Sequence, residues 1–465
     1  MYQESLKDTI AAISTPPGQG GIGIVRISGK ESLNIADKIF VAKNNKKPSS
    51  FRTYSVHYGK VFDLNKDAQI VDEALIILMK SPKSYTAEDV VEISCHGGSA
   101  SLKKILSLAL ESGARLAQPG EFTKRAFLNG RMDLTQAEAV LDIIQAKTEA
   151  FLRTSVNQLK GELTLELESI RELLMDSYVE IEAIVNFPED DIDASSRQGL
   201  MVRIDDAIQK VNTLLLSSDQ GRIMKEGAKV VICGKPNVGK SSLLNVFLRM
   251  PRAIVSEVKG TTRDTIEESA QIKGIPLQLV DTAGILRPRN SIEKEAVRRS
   301  HLNIDEADLI LFMIDISDRI SKEDQQIIDK IKGKNIIVVL NKSDKRVRVD
   351  VEKIRKHLSD SLQIKVSALC KDGIDILEEN IVKNILHGKE FQESKIVISN
   401  VRQIESLKKC LLALQKAKHH FLNQLSLEFI SEEIKLAVDS LDKITGKSIS
   451  QDLLDKIFSS FCIGK

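Results

Sequence analysis

The run Gly234-Lys235-Pro236-Asn237-Val238-Gly239-Lys240-Ser241 joins an apolar stretch, 229–233, to the helix-prone residues 242–248. Strand, loop and helix in that order are the context a phosphate-binding loop requires. The glycines let backbone N–H groups turn inward, and the start of the next helix adds the positive end of its dipole. In this arrangement Lys240 neutralises the β- and γ-phosphates of a nucleoside triphosphate, while the Ser241 hydroxyl ligates Mg²⁺. Ser242 completes the loop's edge.

Three further segments follow in an order that points to GTP. Asp281-Thr282-Ala283-Gly284 closes an apolar run, so that Asp281 reaches the Mg²⁺ shell through water and the Gly284 N–H meets the γ-phosphate. Asn341-Lys342-Ser343-Asp344 closes another. Its Asp344 can accept hydrogen bonds from the guanine N1–H and exocyclic amine, which adenine does not present together. Ser367-Ala368-Leu369 follows the last apolar run and is similar to the element that meets guanine O6 in small GTPases. Between the loop and Asp281 lie Ser256, Glu257, Val258, Lys259, Gly260, Thr261 and Thr262, where Thr262 is the expected switch ligand for γ-phosphate and Mg²⁺.

Ile285 follows Gly284 where Ras-type enzymes carry a water-orienting glutamine. A carboxylate on the next segment, Glu293 or Glu295, must then orient the water. Arg263, Arg287, Arg289 or a monovalent cation can supply the charge of an arginine finger.

These residues need a scaffold, and the chain is long enough for several. Its 465 residues predict about three domains at roughly 150 residues each. Hydrophobic residues at 42% and charged ones at 28% fit a folded soluble protein rather than a disordered one. A net charge of +2 excludes an overall basic field, so any nucleic-acid contact must be local. Five cysteines without a CxxC pair argue against a disulfide framework or a zinc site, and the expected compartment is a reducing cytoplasm. No uninterrupted apolar run approaches the roughly 18 residues of a membrane span. The basic stretch 41–50 reads as a solvated loop.

Short strand-like runs at 22–27, 74–79 and 90–94 predict an α+β domain over 1–118. Leu152, Val156, Leu159, Leu163, Leu167, Ile170 and Leu174 recur at helical spacing and predict one long amphipathic helix in a helical domain beginning at 119–224. Leu407, Leu411, Leu414, Phe421, Leu425, Phe429, Leu441 and Ile444 predict its second part, over 388–465, packed against the first. Alternating strands and helices over 225–387 predict an inserted α/β domain with a mostly parallel sheet.

The flanks carry a resemblance to a known family. Residues 15–29 (TPPGQGGIGIVRISG), residues 119–130 (PGEFTKRAFLNG) and the terminal Phe461-Cys462-Ile463-Gly464-Lys465 resemble the tRNA modification GTPase MnmE (TrmE) family from about Asp8 to the last residue. The resemblance implies an N-terminal tetrahydrofolate-binding domain that forms a homodimer, and a Ras-like P-loop GTPase domain inserted in a helical one. It implies a one-carbon folate, the 5,10-methylene derivative, held near Arg26, Glu92, Arg131 and Lys465, with arginine at 131 where some relatives have lysine. It places K⁺ at Asn237, Ser256, Val258 and Thr261 and makes Glu293 the water-positioning residue beside Lys240. Cys462 acquires a role near the folate as nucleophile, acid/base thiol or pocket former. The implied reaction installs an aminomethyl or carboxymethylaminomethyl group on tRNA wobble uridine 34 with an FAD-bearing partner of the MnmG (GidA) type, the amine coming from ammonium or glycine. The rival expectation is an Era-like assembly GTPase, which would append an RNA-binding module. None is evident in the sequence. His96-Gly97-Gly98 reads as a satisfied turn, and the adjacent His419 and His420 make a poor metal pair.

Overall fold

The computed structural model describes residues 8–63, 69–186, 194–248, 267–281, 298, 302–359, 361–386 and 396–465. Two compact units emerge, one from 1–141, 159–171 and 438–465, the other from 142–158 and 172–437. Among the described residues no helix is long and apolar enough to cross a membrane.

The first unit is built on a seven-stranded sheet. Its strands are β1 (Ile10–Ile13), β2 (Ile22–Ser28), β3 (Phe40–Ala42), β4 (Ser55–Asp63), β5 (Gln69–Met79), β6 (Val90–His96) and β7 (Arg115–Leu116), in the order β3-β4-β5-β6-β2-β1-β7. All neighbours are antiparallel except β1 and β7. Val25, Ile27, Ile76, Leu78, Val91 and Ile93 alternate onto one face and pack beneath Ile35, Ile39, Ile105 and Leu108 from the helices Ser32–Ile39 and Ser99–Glu111. The same alternation puts Arg26 on the opposite face. The β2–β6 register sets it directly across from Glu92.

The end of the chain joins this unit. Leu454, Phe458 and Phe461 share a core with Ala126, Met132 and Leu134, and Lys124 Nζ lies 2.5 Å from Asp455. Arg171 Nε donates to Asp442 across 2.7 Å, so the two expected helical stretches do meet. The single long helix expected from 152 onward is instead two, Glu149–Leu159 and Glu162–Asn186. Gly161 separates them at φ +90°, a conformation that ends helices. The Gln136 amide donates to the freed Leu159 carbonyl at 2.9 Å.

The second unit carries a six-stranded sheet of β8 (Ala228–Cys233), β9 (Glu267–Ile272), β10 (Ile275–Asp281), β11 (Leu309–Asp315), β12 (Ile336–Asn341) and β13 (Leu362–Lys365). The order is β13-β12-β11-β8-β10-β9, parallel throughout except for β9 against β10. Continuous apolar strands such as β11 and β12 need cover on both faces. One face buries Val230, Ile232, Leu311 and Val339 under the helices Lys240–Leu248 and Ile374–Ile385. The other buries Val231, Phe312 and Val338 under Lys322–Ile331 and Val351–His357. In the helical part, Ala194–Leu216 lies against Val401–Leu422, with Lys418 Nζ 2.6 Å from Asp205. Leu425 and Phe429, expected on the buried stripe, are exposed. The chain turns at Gln424, φ +54°, and the next helix, Leu427–Thr445, starts with a new phase.

Candidate functional site

Ligands of open α/β sheets bind at the carboxyl ends of strands where the strand order reverses. Here β8 runs between β10 and β11, and the loop leaving it is Gly234–Gly239, with Lys240 opening the following helix. Gly234 has φ +152° and a Cβ there would stand 2.5 Å from the Met313 carbonyl, so only glycine passes beside β11. Asn237 takes φ +64° at an exposed position. Lys240 Nζ donates to the Gly234 and Lys235 carbonyls at 3.0 and 3.1 Å, folding its cation over the loop. Ser241 and Ser242 are exposed at the first turn of the helix, where a hydroxyl can face an anion or its Mg²⁺.

The ends of β11 and β12 bind this loop from behind. Asn341, 2% exposed, donates to the Val238 carbonyl at 2.8 Å and accepts from the Ala368 N–H at 3.0 Å. Lys342 Nζ donates to the Asn237 carbonyl at 2.8 Å and to Asp315 at 2.6 Å. Burial raises the Asp315 pKa, but Lys342 and Ser317 outweigh it and hold the carboxylate below its ordinary range. Ser367 Oγ donates to Asp344 Oδ1 at 2.6 Å and lowers that carboxyl too. Asp344 is exposed, and so is Leu369. Asp315 carried no expectation in the sequence. Its position at the end of a run parallel to the one that ends at Asn341 was the available signal.

The expected contacts Ser256, Glu257, Val258, Lys259, Gly260, Thr261, Thr262, Thr282, Ala283, Gly284 and Glu293 lie outside the described residues. Asp281 ends β10, in register with Ile232 of β8. Of the residues expected around K⁺, only Asn237 is therefore described.

A second constellation lies within the first unit. Arg26 Nε donates to Glu92 at 2.7 Å, a pair whose side chains are only 14% and 15% exposed. Its Nη1 donates to the Gly464 carbonyl at 3.1 Å, and Ser14 Oγ donates to the same oxygen. The Arg26 guanidinium stands 5.5 Å from the ring centres of both Tyr85 and Phe122. Arg131 lies over the Tyr85 ring at 4.9 Å and donates to the Tyr85 carbonyl at 2.8 Å. Thr123 shares a 2.8 Å hydrogen bond with the Tyr85 hydroxyl and so fixes the ring.

Lys465 is half-buried beside this cluster. Burial and the Arg26 charge lower its pKa, while Glu92 and Cys462 oppose them. Cys462 is exposed, and its carbonyl accepts from the Gly120 N–H at 3.3 Å. Arg26, Arg131 and Lys465 thus converge, with the Glu92 carboxylate as an acceptor among them, in a site rich in positive charge that suits an anionic ligand. Tyr85 went unnoticed in the sequence because nothing in its spacing marks it. Phe122 sat unremarked within the 119–130 motif.

His96 is satisfied, its Nδ1 2.6 Å from Asp72. Among the described residues no group of His, Cys, Asp and Glu side chains is arranged to hold a metal ion.

The N-terminal domain described as GTP-binding protein TrmE N-terminus matches residues 9–131, and the MnmE helical domain matches 134–462. The chain belongs to the MnmE family of tRNA modification GTPases. A tRNA modification GTPase MnmE of Natranaerobius thermophilus is 44% identical over 459 residues, 99% of this chain and all of the relative. Those of Desulforamulus reducens and Clostridioides difficile are each 43% identical, again over 99% of this chain and the whole relative. Family membership extends to both units and gives the α+β, helical and P-loop architecture its place in one multidomain chain.

Proposed function

We propose that this protein hydrolyses GTP in a K⁺-dependent reaction and, with an FAD-bearing flavoprotein of the MnmG (GidA) type, modifies tRNA at wobble uridine 34. The product is the 5-aminomethyl or carboxymethylaminomethyl base, its carbon coming from 5,10-methylenetetrahydrofolate and its amine from ammonium or glycine respectively. GTP hydrolysis in tRNA modification comes with the family. The observation that carries the rest is similarity along 99% of the chain, which includes the nucleotide loop and the terminal cluster alike.

Mg²⁺ and K⁺, when bound, supply positive charge to the phosphates, and the folate supplies the one-carbon unit. Lys240 exchanges its two loop carbonyls for phosphate oxygens, and Ser241 and Thr262 offer hydroxyls toward Mg²⁺. Asp344, held by Ser367, accepts from the guanine edge. Glu293 orients the attacking water, as no glutamine follows Gly284. Asn237, Ser256, Val258 and Thr261 form the potassium set. In the first unit Arg26, Arg131 and Lys465 bind the folate anion and Glu92 fixes the Arg26 fork. Cys462 stands at the same cluster. Two copies of the chain form the working homodimer, and the four segments 1–118, 119–224, 225–387 and 388–465 are its functional domains.

The test is reconstitution from purified chain, flavoprotein, GTP, reduced folate, ammonium or glycine and unmodified tRNA in potassium buffer, read by mass spectrometry of digested tRNA. A 5-substituted uridine that disappears when GTP or folate is omitted supports the reading. Modification that proceeds without this chain overturns it.

A further inference from the structure

Lys43, Lys46, Lys47, Arg52 and Lys60 fall within residues 41–62, a stretch without Asp or Glu. The chain as a whole balances 67 basic residues against 65 acidic ones, so the local excess stands out. Read from sequence, the basic part is a solvated loop. In the structure it lines a recess of about 690 Å³, in which Lys46, Lys47, Arg52 and His57 alternate with three serines and no carboxylate. The recess lies on the first unit, at β4, away from Arg26 in sequence and carrying none of the residues assigned to GTP or folate.

The frame is built rather than loose. Pro48–Ser50 forms a single tight turn, and Phe51, 6% exposed, stacks on His57 with ring centres 3.5 Å apart. The carboxylates that flank the stretch are already engaged, Asp37 by the Ser49 N–H and hydroxyl at 2.8 and 2.6 Å and Asp63 by Lys104 at 2.6 Å. Lys80 adds a cation beside the turn, donating to the Ser49 carbonyl at 2.9 Å. Among the described residues, Lys46, Lys47 and Arg52 have no ion pair, whereas Lys60 on β4 pairs with Glu73. Uncompensated cations grouped in an open recess repel one another and are stabilised by a polyanion. The recess is far larger than one phosphate ion, and its cations come from before the turn and after it.

We propose that this recess binds the phosphate backbone of the tRNA. The inference rests on the modification reading and names the surface through which this chain itself holds its RNA. Phosphate contacts position an RNA without reading its bases, so the site serves every tRNA that the pathway modifies.

The probe is fluorescently labelled bulk tRNA titrated with the full chain across a series of KCl concentrations. Replacing Lys46, Lys47 and Arg52 together by glutamine is expected to weaken binding at least about tenfold near 0.1 M salt. It should flatten the slope of log affinity against log salt by about 2, at roughly 0.7 to 0.9 per lost phosphate contact. GTP hydrolysis and the unfolding temperature should be unchanged, and the charge-preserving exchange Lys46→Arg, Lys47→Arg, Arg52→Lys should keep the affinity. Unaltered affinity and slope in the glutamine variant would overturn the proposal. So would loss of the flavoprotein complex with tRNA binding intact, which would give the recess to a protein partner. Either result leaves the modification reading standing, because the tRNA nucleosides judge that reading separately.

Discussion

Arg26 and Gly464, 438 positions apart in the chain, are joined by a 3.1 Å hydrogen bond from the guanidinium to the backbone carbonyl. The final residues are thereby fixed against the sheet strand that carries Arg26, with Glu92 holding the other side of the fork. Gly464 sits at φ +94°, and a Cβ there would come within 2.5 Å of the Ile13 carbonyl. Replacing Arg26 by alanine, or Gly464 by alanine, is expected to release the tail. Reduced-folate affinity measured by calorimetry should fall by about tenfold or more, the worth of one charge-assisted hydrogen bond. GTP hydrolysis should remain, and its loss together with folate affinity would contradict separate sites.

Asp344 is the group expected to choose the base. Replacing it by asparagine turns an acceptor into a mixed donor and acceptor, which suits the C2 carbonyl of xanthine rather than the guanine amine. GTP affinity should drop roughly 100-fold, from two charge-assisted bonds of about 1.5 kcal/mol each, while xanthosine triphosphate should gain. Equal affinity for GTP in the variant would remove Asp344 from base recognition.

Asn341 acts differently, because its amide is spent on the protein. Its removal leaves the Val238 carbonyl and Ala368 N–H without their partner in a buried place. Asn341→Ala is expected to cost about 1 to 3 kcal/mol of stability, seen as an earlier denaturant midpoint, and to weaken every nucleotide triphosphate alike. A loss confined to guanine nucleotides would mean that Asn341 touches the base.

Potassium dependence offers a readout at the loop itself. Phosphate release in KCl should exceed that in NaCl of equal ionic strength by at least about tenfold, equivalent to roughly 1.4 kcal/mol of transition-state stabilisation. Asn237→Ala should abolish the difference. Equal rates in both salts for the intact protein would exclude the potassium set.

His96 gives a pH signature with a definite sign. Its hydrogen bond to Asp72, together with the attraction of that charge, raises its pKa above the ordinary histidine value of about 6.5. The stabilising contact is complete below that ordinary value and is lost as pH rises through the raised one. An NMR titration should show a midpoint above 6.5 that returns toward it in Asp72→Asn. A midpoint unchanged by the substitution would refute the pairing.

The nucleotide domain was the most legible part of the sequence. β8, β11 and β12 are continuous apolar runs because both faces are covered, and Lys240, Asn341 and Asp344 stand at the ends of such runs, where local pattern suffices. The break at Gly161 was hidden because the apolar spacing of Leu152 to Leu174 continues across it, and a single glycine decides the backbone. Phe429 was misplaced for the related reason that the turn at Gln424 resets the helical phase. Tyr85 and Phe122 were out of reach, and the grouping of Arg26, Glu92, Arg131 and Lys465 came from the family resemblance rather than from any local pattern. Their meeting depends on pairing β2 with β6 and on docking a tail from the far end of the chain, neither of which leaves a local trace.

The most direct test of the account is nucleoside mass spectrometry of bulk tRNA from cells lacking this gene, complemented by the intact protein or by Lys240→Ala. The account predicts that the 5-substituted wobble uridine disappears and is restored by the intact protein alone. A tRNA profile unchanged by the deletion, in cells without a redundant enzyme, would contradict it.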